Sequence, residues 1–238
     1  MNVREASLRK TIPLVINSYN QFYYLRNFID TFRKNGFTNI YVIDNYSTYP
    51  PLLDYYKYLQ EQKIATVFFY EYNFGPHYFF VKKLYRALFE GCPFLYSDPD
   101  LHYTAIADNF LSRIFEISRT FKAFKVGSAL TLPDHSQMKN PQHRFNIGGV
   151  TYSLLEWESR FWEEKVHEDV YIAQIDTTLH LFNTEFYSEK IHSFDLITGL
   201  RVAGPGFEAV HLPWFLWDPC PSEELEYYQR GARFSNWT

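Results

Sequence analysis

Short apolar runs alternate with amphipathic segments through the first hundred residues. The apolar runs are rich in β-branched and aromatic residues and predict four buried strands, over residues 12–17, 39–44, 65–70 and 93–96. Apolar residues at helical spacing predict three helices between them, over residues 21–35, 51–62 and 77–90. Strands that alternate with helices indicate right-handed crossovers and a mainly parallel sheet. The pattern therefore predicts an α/β fold.

The second half of the chain has a less regular pattern. It predicts helices over residues 106–119, 169–182 and 223–230, and strands over residues 123–130 and 200–203. A polar loop over residues 132–145 precedes Gly148 and Gly149. No internal repeat and no linker-like composition divides the sequence, so we expect one domain over residues 1–238.

The amino-acid composition and net charge limit the classes of protein to which the chain can belong. Hydrophobic residues make up 46% of the chain, and the net charge of −4 argues against a general nucleic-acid partner. Cys92 and Cys220 are far apart and form no CxxC pair, which fits a reducing compartment. The charged first ten residues do not resemble a signal peptide, and no run approaches the roughly 18 apolar residues of a membrane span. We therefore expect a cytoplasmic protein without a transmembrane segment.

Polar clusters follow three of the predicted strands. They are residues 17–20, residues 44–45 and residues 98–100. The carboxyl ends of parallel strands share one edge of a sheet, and ligands of open α/β sheets bind there. The sequence therefore predicts a binding site at this edge.

Asp98 and Asp100 flank Pro99 at the end of the fourth predicted strand. Two carboxylates on a turn stiffened by proline can hold a divalent cation, which would neutralise an anionic substrate such as a diphosphate. A D-x-D pair is common by chance, and its alternative is a solvated turn. Its position at the end of a strand makes it informative.

Four segments, in order, resemble family 2 of the GT-A glycosyltransferases. That family opens with a strand leading into a T/S-Y-N segment, continues with D-D/N-x-S-T and an N-x-G loop, and then reaches the D-x-D. The corresponding segments are Asn17-Ser18-Tyr19-Asn20, Asp44-Asn45-Tyr46-Ser47-Thr48, Asn73-Phe74-Gly75 and Asp98-Pro99-Asp100. The resemblance implies a Rossmann-like GT-A fold with a nucleotide-binding half over residues 1–100 and an acceptor-binding half over residues 101–238.

The resemblance also implies roles for individual residues. A nucleotide-sugar donor, with UDP-sugar expected, would bind at a pocket formed by Asn17, Ser18, Tyr19, Asp44 and Asn73. Asp98 and Asp100 would approach the ribose, the diphosphate and the metal. The implied acceptor is a glycan or a lipid-linked sugar, with peripheral association at a membrane by analogy with the family.

The second half resembles the family more loosely. The pair Gly148-Gly149 matches a glycine-containing acceptor loop. Asp176, within Ile175–Leu179, matches the acid that acts as base in inverting members, although Ile175 replaces the usual glutamate. Glu168-Asp169 is the competing candidate, and Asp176 could instead be a plain N-cap of the helix predicted after it.

A late histidine often completes the metal site of such enzymes, and His211 matches it beside Asp98 and Asp100. The alternative for His211 is a core histidine. Oxygen ligands combined with an imidazole suit Mn²⁺ somewhat better than Mg²⁺. Trp214 and Trp217 offer faces for a sugar or belong to the core.

Other classes of protein fit the sequence less well. A nucleotidyltransferase usually carries a glycine-rich, basic loop after the first strand, and residues 17–21 contain neither glycine nor a basic residue. A dinucleotide dehydrogenase needs G-x-G-x-x-G/A early in the chain, whereas the match at residues 204–209 is late and leads into no long helix. A non-catalytic carbohydrate-binding domain stays open as the alternative from another class.

Overall fold

The four apolar runs of the first half form adjacent parallel strands in a computed structural model, which describes residues 1–188 and 198–232. The strands stand in the order β3-β2-β1-β4. Leu14 lies beside Ile40 on one side and Leu95 on the other. The bounds are β1 (Leu14–Ser18), β2 (Ile40–Asp44), β3 (Thr66–Phe69) and β4 (Phe94–Ser97).

Five helices precede or connect these strands. They are α1 (Val3–Thr11), α2 (Phe22–Lys34), α3 (Pro50–Glu61), α4 (Tyr78–Val81) and α5 (Leu84–Phe89). The single helix predicted over residues 77–90 is wrong, because Lys83 has a left-handed backbone with φ of 52° and separates α4 from α5. Helix α1 was not predicted. Its buried face carries Glu5 and Arg9, joined at 2.8 Å, in place of an apolar stripe.

The second half adds shorter elements. In chain order they are β5 (Leu101–His102), α6 (Phe110–Phe121), β6 (Lys125–Ser128), β7 (Arg144–Ile147), β8 (Val150–Ser153), α7 (Leu154–Glu158), β9 (Lys165–His167), β10 (Val170–Gln174), β11 (His180–Phe182), β12 (Thr198–Val202), β13 (Val210–His211) and α8 (Ser222–Gly231). Short 3₁₀ helices lie at His135–Gln137, Ser159–Trp162 and Leu212–Trp214.

Among the described residues, nine strands form one sheet that runs through both halves, in the order β3-β2-β1-β4-β11-β6-β12-β10-β9. Strand β11 is antiparallel to both of its neighbours, and β10 is antiparallel to both of its own. The other strands run in one direction, so the sheet is mostly parallel, as the sequence predicted. The strand predicted over residues 200–203 is present as β12.

The helix predicted over residues 169–182 is wrong. The segment forms β10, a loop over residues 175–179, and β11. Its apolar spacing fits a helix, but short apolar runs do not separate helix from strand. Here β10 gains backbone pairing along β12, and β11 gains it between β4 and β6. Long-range pairing therefore overrides the local pattern.

Alternate residues of β1 reach two different core clusters, as the pleat of a strand requires. Leu14 and Ile16 belong to a large mixed cluster, whereas Val15 joins a cluster made mainly of aromatic rings. That second cluster contains Phe79, Phe80, Tyr85, Phe89, Phe94, Tyr96, Phe124 and Phe182. Many of the aromatic residues thus serve the core. In the described ranges no helix is both long and apolar enough to cross a bilayer.

Candidate functional site at the carboxyl ends of the strands

A cavity of about 420 Å³ opens at the carboxyl ends of β1, β2 and β4. It is lined by residues from both halves of the chain. Those that the sequence predicted as site residues are Asn17, Tyr19, Asn73, Asp98, Asp100, Asp176 and His211. The fold therefore brings seven of the predicted residues to one cavity.

Asp100 and His211 are neighbours because β5 and β13 pair, with His211 beside Leu101. The Nε2 atom of His211 lies 3.4 Å from Oδ2 of Asp100, and both side chains are nearly buried. The other carboxylate oxygen of Asp100, Oδ1, is buried without a hydrogen-bond partner. A buried carboxylate oxygen in this state is costly, which makes it a natural ligand for a cation.

Asp98 lies in an environment that disfavours its charge. Burial, followed by the negative charge of Asp100, raises the pKa of Asp98 to about 7. Burial by itself would lower the pKa of His211, but the carboxylates of Asp100, Asp98 and Glu158 together outweigh that effect and raise it. The group formed by Asp98, Asp100 and His211 therefore favours positive charge, either as bound protons or as a cation.

The residues fit a divalent cation only in part. Within residues 1–188 and 198–232, no three His, Cys, Asp or Glu side chains are arranged to hold a metal ion. Two carboxylates with substrate phosphates and water are nevertheless a usual ligand set for Mg²⁺. Oδ1 of Asp100 has no hydrogen-bond partner, and the pKa of Asp98 is raised. A bound positive charge would stabilise both carboxylates. Asp98 and Asp100 therefore fit a cation that the substrate helps to bind.

Side-chain amides connect the ends of β1, β2 and β4. Asn17 donates a hydrogen bond of 3.1 Å from Nδ2 to Oδ1 of Asp98. Asn45 donates from its own Nδ2 to Oδ1 of Asn17. Asn45 also lines the cavity; the sequence placed it in a polar cluster at the end of a strand but gave it no individual role. Its place directly after Asp44, within the D-N-x-S-T segment, is the signal that could have found it.

Ser18 and Asp44 lie beneath the cavity and do not line it. Their relative exposures are 0% and 2%. The hydroxyl of Tyr56 lies 2.9 Å from both Ser18 Oγ and Asp44 Oδ1. Asp44 also accepts the Ser47 backbone N–H, and burial raises its pKa. The two side chains fix the ends of β1 and β2 from below.

Tyr19 forms a wall shared with the C-terminal helix. Its hydroxyl donates to the carbonyl oxygen of Gly231 at 3.2 Å, and its ring meets Tyr228 edge to face at 6.0 Å. Asn73 stabilises the turn of its own loop, because its Oδ1 accepts the backbone N–H of Gly75 at 3.1 Å. Helix α8 therefore closes one side of the cavity, a role that the sequence did not indicate.

Asp176 projects from the loop between β10 and β11, and its side chain is 62% exposed. It does not begin a helix, so the N-cap interpretation is wrong. The Nε2 atom of His77 lies 3.3 Å from Asp176 Oδ1. The competing candidates Glu168 and Asp169 lie between β9 and β10 and are absent from the cavity lining.

The second half also contributes lining residues that the sequence did not single out. Arg201 and Glu158 form a buried ion pair at 2.9 Å, and Arg201 donates further to the carbonyl oxygen of Gln174. An apolar wall comes from Phe145, Ile147, Trp157 and Phe161. Arg201 gave no sequence signal, because a lone arginine in a strand carries no pattern.

Two further expectations concern loops and tryptophans. Gly148 and Gly149 form the turn of the β7–β8 hairpin, with φ of 60° and 85°, a conformation that favours glycine. Trp214 lines the cavity and packs on His211 at 4.5 Å between ring centroids. Trp217 is outside the lining and 49% exposed.

Comparisons with solved structures bear on the fold. GalNAc-T7 with UDP, GalNAc and Mn²⁺ matches with a TM-score of 0.55 and 15% identity, over 92% of this chain and 48% of that chain. The mannosyltransferase PcManGT from Pyrobaculum calidifontis, with GDP-Man and Mn²⁺, matches with a TM-score of 0.48 and 13% identity, over 86% and 57%. A putative glucose-1-phosphate thymidylyltransferase from Bacillus anthracis matches with a TM-score of 0.42 and 9% identity, over 74% and 72%.

The likeness to GalNAc-T7 shows that the chain has the fold of the GT-A glycosyltransferases, as the sequence predicted. The chain spans about half the length of that structure. No protein-family model matches the sequence, and no curated protein matches it.

Proposed function

We propose that this protein transfers a sugar from a nucleotide-sugar donor, with UDP-sugar expected, to a hydroxyl of an acceptor. The observation that carries the proposal is the pair Asp98 and Asp100 at the end of β4, inside the cavity, with one carboxylate oxygen unpartnered. A GT-A fold supports it, because the cavity lies at the sheet edge where open α/β folds bind ligands.

The donor side of the cavity would use the first half of the chain. Asn17, Tyr19 and Asn73 would contact the nucleotide, with Ser18 and Asp44 holding the strand ends beneath them. Tyr19 presents an aromatic ring at the cavity wall, which suits a nucleobase.

Asp98 and Asp100 would hold Mn²⁺ or Mg²⁺, with His211 as a further ligand or as the partner that orients Asp100. When bound, such a cation supplies Lewis-acid stabilisation of the leaving diphosphate. Asn17 would keep Asp98 in place through its 3.1 Å hydrogen bond. His211 would do the same for Asp100.

Asp176 would act on the acceptor side as a general base. It would take the proton of the acceptor hydroxyl as that oxygen bonds to the anomeric carbon, while the sugar–phosphate bond breaks and the nucleoside diphosphate leaves. Its place in the cavity lining and its 62% exposure support this role, because an acceptor hydroxyl can reach the carboxylate. Attack from the face opposite the leaving group inverts the anomeric centre.

The acceptor would be a glycan or a lipid-linked sugar, the latter with peripheral association at a membrane. Action in the cytoplasm suits the two free thiols, Cys92 and Cys220, which stay reduced there.

A donor panel tests the proposal. Calorimetry with UDP-sugars, GDP-mannose and a nucleoside triphosphate, each with and without Mn²⁺, should show Mn²⁺-dependent binding of a nucleotide sugar. Release of the nucleoside diphosphate should follow in the presence of acceptor sugars or water. Consumption of triphosphate with a sugar phosphate would instead identify a nucleotidyltransferase. Binding of free glycans with no nucleotide affinity would identify a carbohydrate-binding domain.

A further inference from the structure

His77 and Asp176 meet across the cavity although they come from opposite halves of the chain. His77 ends the loop that begins at Asn73, on the donor side, and Asp176 belongs to the loop over residues 175–179. Nε2 of His77 lies 3.3 Å from Oδ1 of Asp176, and both side chains line the cavity. The contact therefore joins the donor side of the site to its acceptor side.

The backbone of the Asp176 loop is fixed from below. Buried Lys125 donates from Nζ to the carbonyl oxygen of Ile175 at 2.8 Å. The backbone N–H of Asp98 donates to the carbonyl oxygen of Thr177 at 2.9 Å. Asp176 lies between these two anchors, so its Cα position is set by the sheet beneath it.

These backbone anchors do not fix the side chain of Asp176. At 62% exposure, an aspartate on an anchored backbone can occupy more than one staggered rotamer. A general base has to lie within hydrogen-bond reach of the proton it removes. Displacement by about 1 Å can cost as much as 10²-fold in rate. An exposed base therefore gains from a partner that selects one rotamer.

His77 is held well enough to be that partner. Pro76 fixes the backbone before it, and the hydroxyl of Tyr96 donates to the carbonyl oxygen of Pro76 at 2.6 Å. The carbonyl oxygen of His77 accepts the backbone N–H groups of Phe80 and Val81, each at 3.0 Å. Its side chain is 29% exposed, about half the exposure of Asp176. The more rigid residue can therefore orient the more exposed one.

We infer that His77 is a positioning residue, which rests on the proposed function: its Nε2–H donates to Oδ1 of Asp176 and orients that carboxylate toward the acceptor hydroxyl. An N–H donor at the position of Nε2 is what this role requires. The amide nitrogen of glutamine reaches about as far from the backbone as Nε2 does. The amide nitrogen of asparagine corresponds to Nδ1 and falls short.

The test compares His77→Gln, His77→Asn and His77→Ala in the full chain, with His135→Ala, an exposed histidine outside the cavity, as control. The readout is nucleoside diphosphate released from the nucleotide sugar that the wild type turns over. His77→Ala and His77→Asn should lower kcat by about 10- to 100-fold with KM for the donor nearly unchanged. His77→Gln should keep most of the wild-type kcat. Melting temperatures of the variants identify any loss caused by unfolding.

A double-mutant cycle separates this inference from the base assignment. In an Asp176→Asn background, His77→Ala should cost little further activity, because the group that His77 orients has gone. A full additional loss in that background, equal losses for the Gln and Asn variants, or an active His77→Ala enzyme would each overturn the inference. If Asp176→Asn is impaired while His77→Ala is not, only the inference fails. If Asp176→Asn keeps wild-type turnover, or the wild type releases no nucleotide, the proposed function fails and the inference with it.

Discussion

His211 approaches Asp100 from a separate part of the chain, with Nε2 3.4 Å from Oδ2, while Oδ1 of the same carboxylate is left without a hydrogen bond. One oxygen is thus oriented by the protein and the other is available to a ligand. Under the proposed function, a cation supplied with the substrate would satisfy that second oxygen, and nucleotide binding and metal binding would then depend on one another.

Replacing Asp100 by alanine should abolish the Mn²⁺-dependent part of UDP binding, because the carboxylate that offers its unpartnered oxygen is lost. The fold should survive, since removal of a poorly satisfied buried charge does not break the sheet. Calorimetry with UDP, with and without Mn²⁺, measures the effect. Asp54→Ala is the matched control, because that aspartate is exposed on α3. Equal UDP affinity with and without Mn²⁺ in the wild type would contradict the prediction.

Replacing His211 by alanine should weaken Mn²⁺ binding in the presence of UDP, because Asp100 loses the group that orients it. Some stability should also be lost, since the ring is 9% exposed and packs on Trp214. Mn²⁺ titration followed by calorimetry, alongside a melting curve, separates the two effects. A large drop in melting temperature with unchanged Mn²⁺ affinity would show that His211 is a core residue only.

The pKa of Asp98 predicts how metal-free stability changes with pH. The pKa is about 7 in the folded chain against an ordinary 3.8, so between these values the unfolded chain has lost a proton that the folded chain keeps. Ionisation of Asp98 therefore lowers the free energy of unfolding as pH rises, and the loss is complete above about pH 7. Asp98→Asn removes the charge and should stabilise the protein at about pH 8 but change little at about pH 4.

Melting temperatures in EDTA at both pH values measure this difference. Asp54→Asn, at an exposed position, should show no such pH dependence. Destabilisation by Asp98→Asn to the same extent at both pH values would mean that folding does not raise the pKa of Asp98.

The sequence predicted the first half well because its signals are local. Strands β1, β2 and β4 are continuous apolar runs, and polar residues mark their ends, so the rim carrying Asn17 and Asp98 could be located. The second half depends on distant pairing. Strand β11 inserts between β4 and β6, which nothing within residues 169–182 reveals.

The residues that line the cavity were predictable to a similar extent. Carboxylates at strand ends could be recognised, whereas the approach of His77 to Asp176 and of Glu158 to Arg201 depends on how two halves of the chain meet. Two equally buried neighbours differ in whether they reach the cavity. Asp44 and Asn45 are adjacent in sequence, yet only Asn45 lines the cavity.

Removing the hydroxyl of Tyr56 should destabilise the protein by about 1–3 kcal/mol, because buried Asp44 loses a donor. UDP affinity should change little, since neither side chain lines the cavity. Urea denaturation of Tyr56→Phe measures the loss, and Tyr58→Phe, half-exposed on the same helix, is the control. A large loss of UDP affinity at unchanged stability would mean that the hydroxyl serves the ligand directly.

Nucleotide release from a nucleotide sugar tests the central claim most directly, with NMR following both UDP and the anomeric configuration of the first-formed product. The wild type should release UDP from at least one UDP-sugar in the presence of Mn²⁺, and the product should be inverted. Asp176→Asn should bind that donor normally and release UDP about 10²–10⁴-fold more slowly, whereas Glu168→Gln should match the wild type. No release from any nucleotide sugar would contradict the account, and a retained configuration would remove the need for Asp176 as a base.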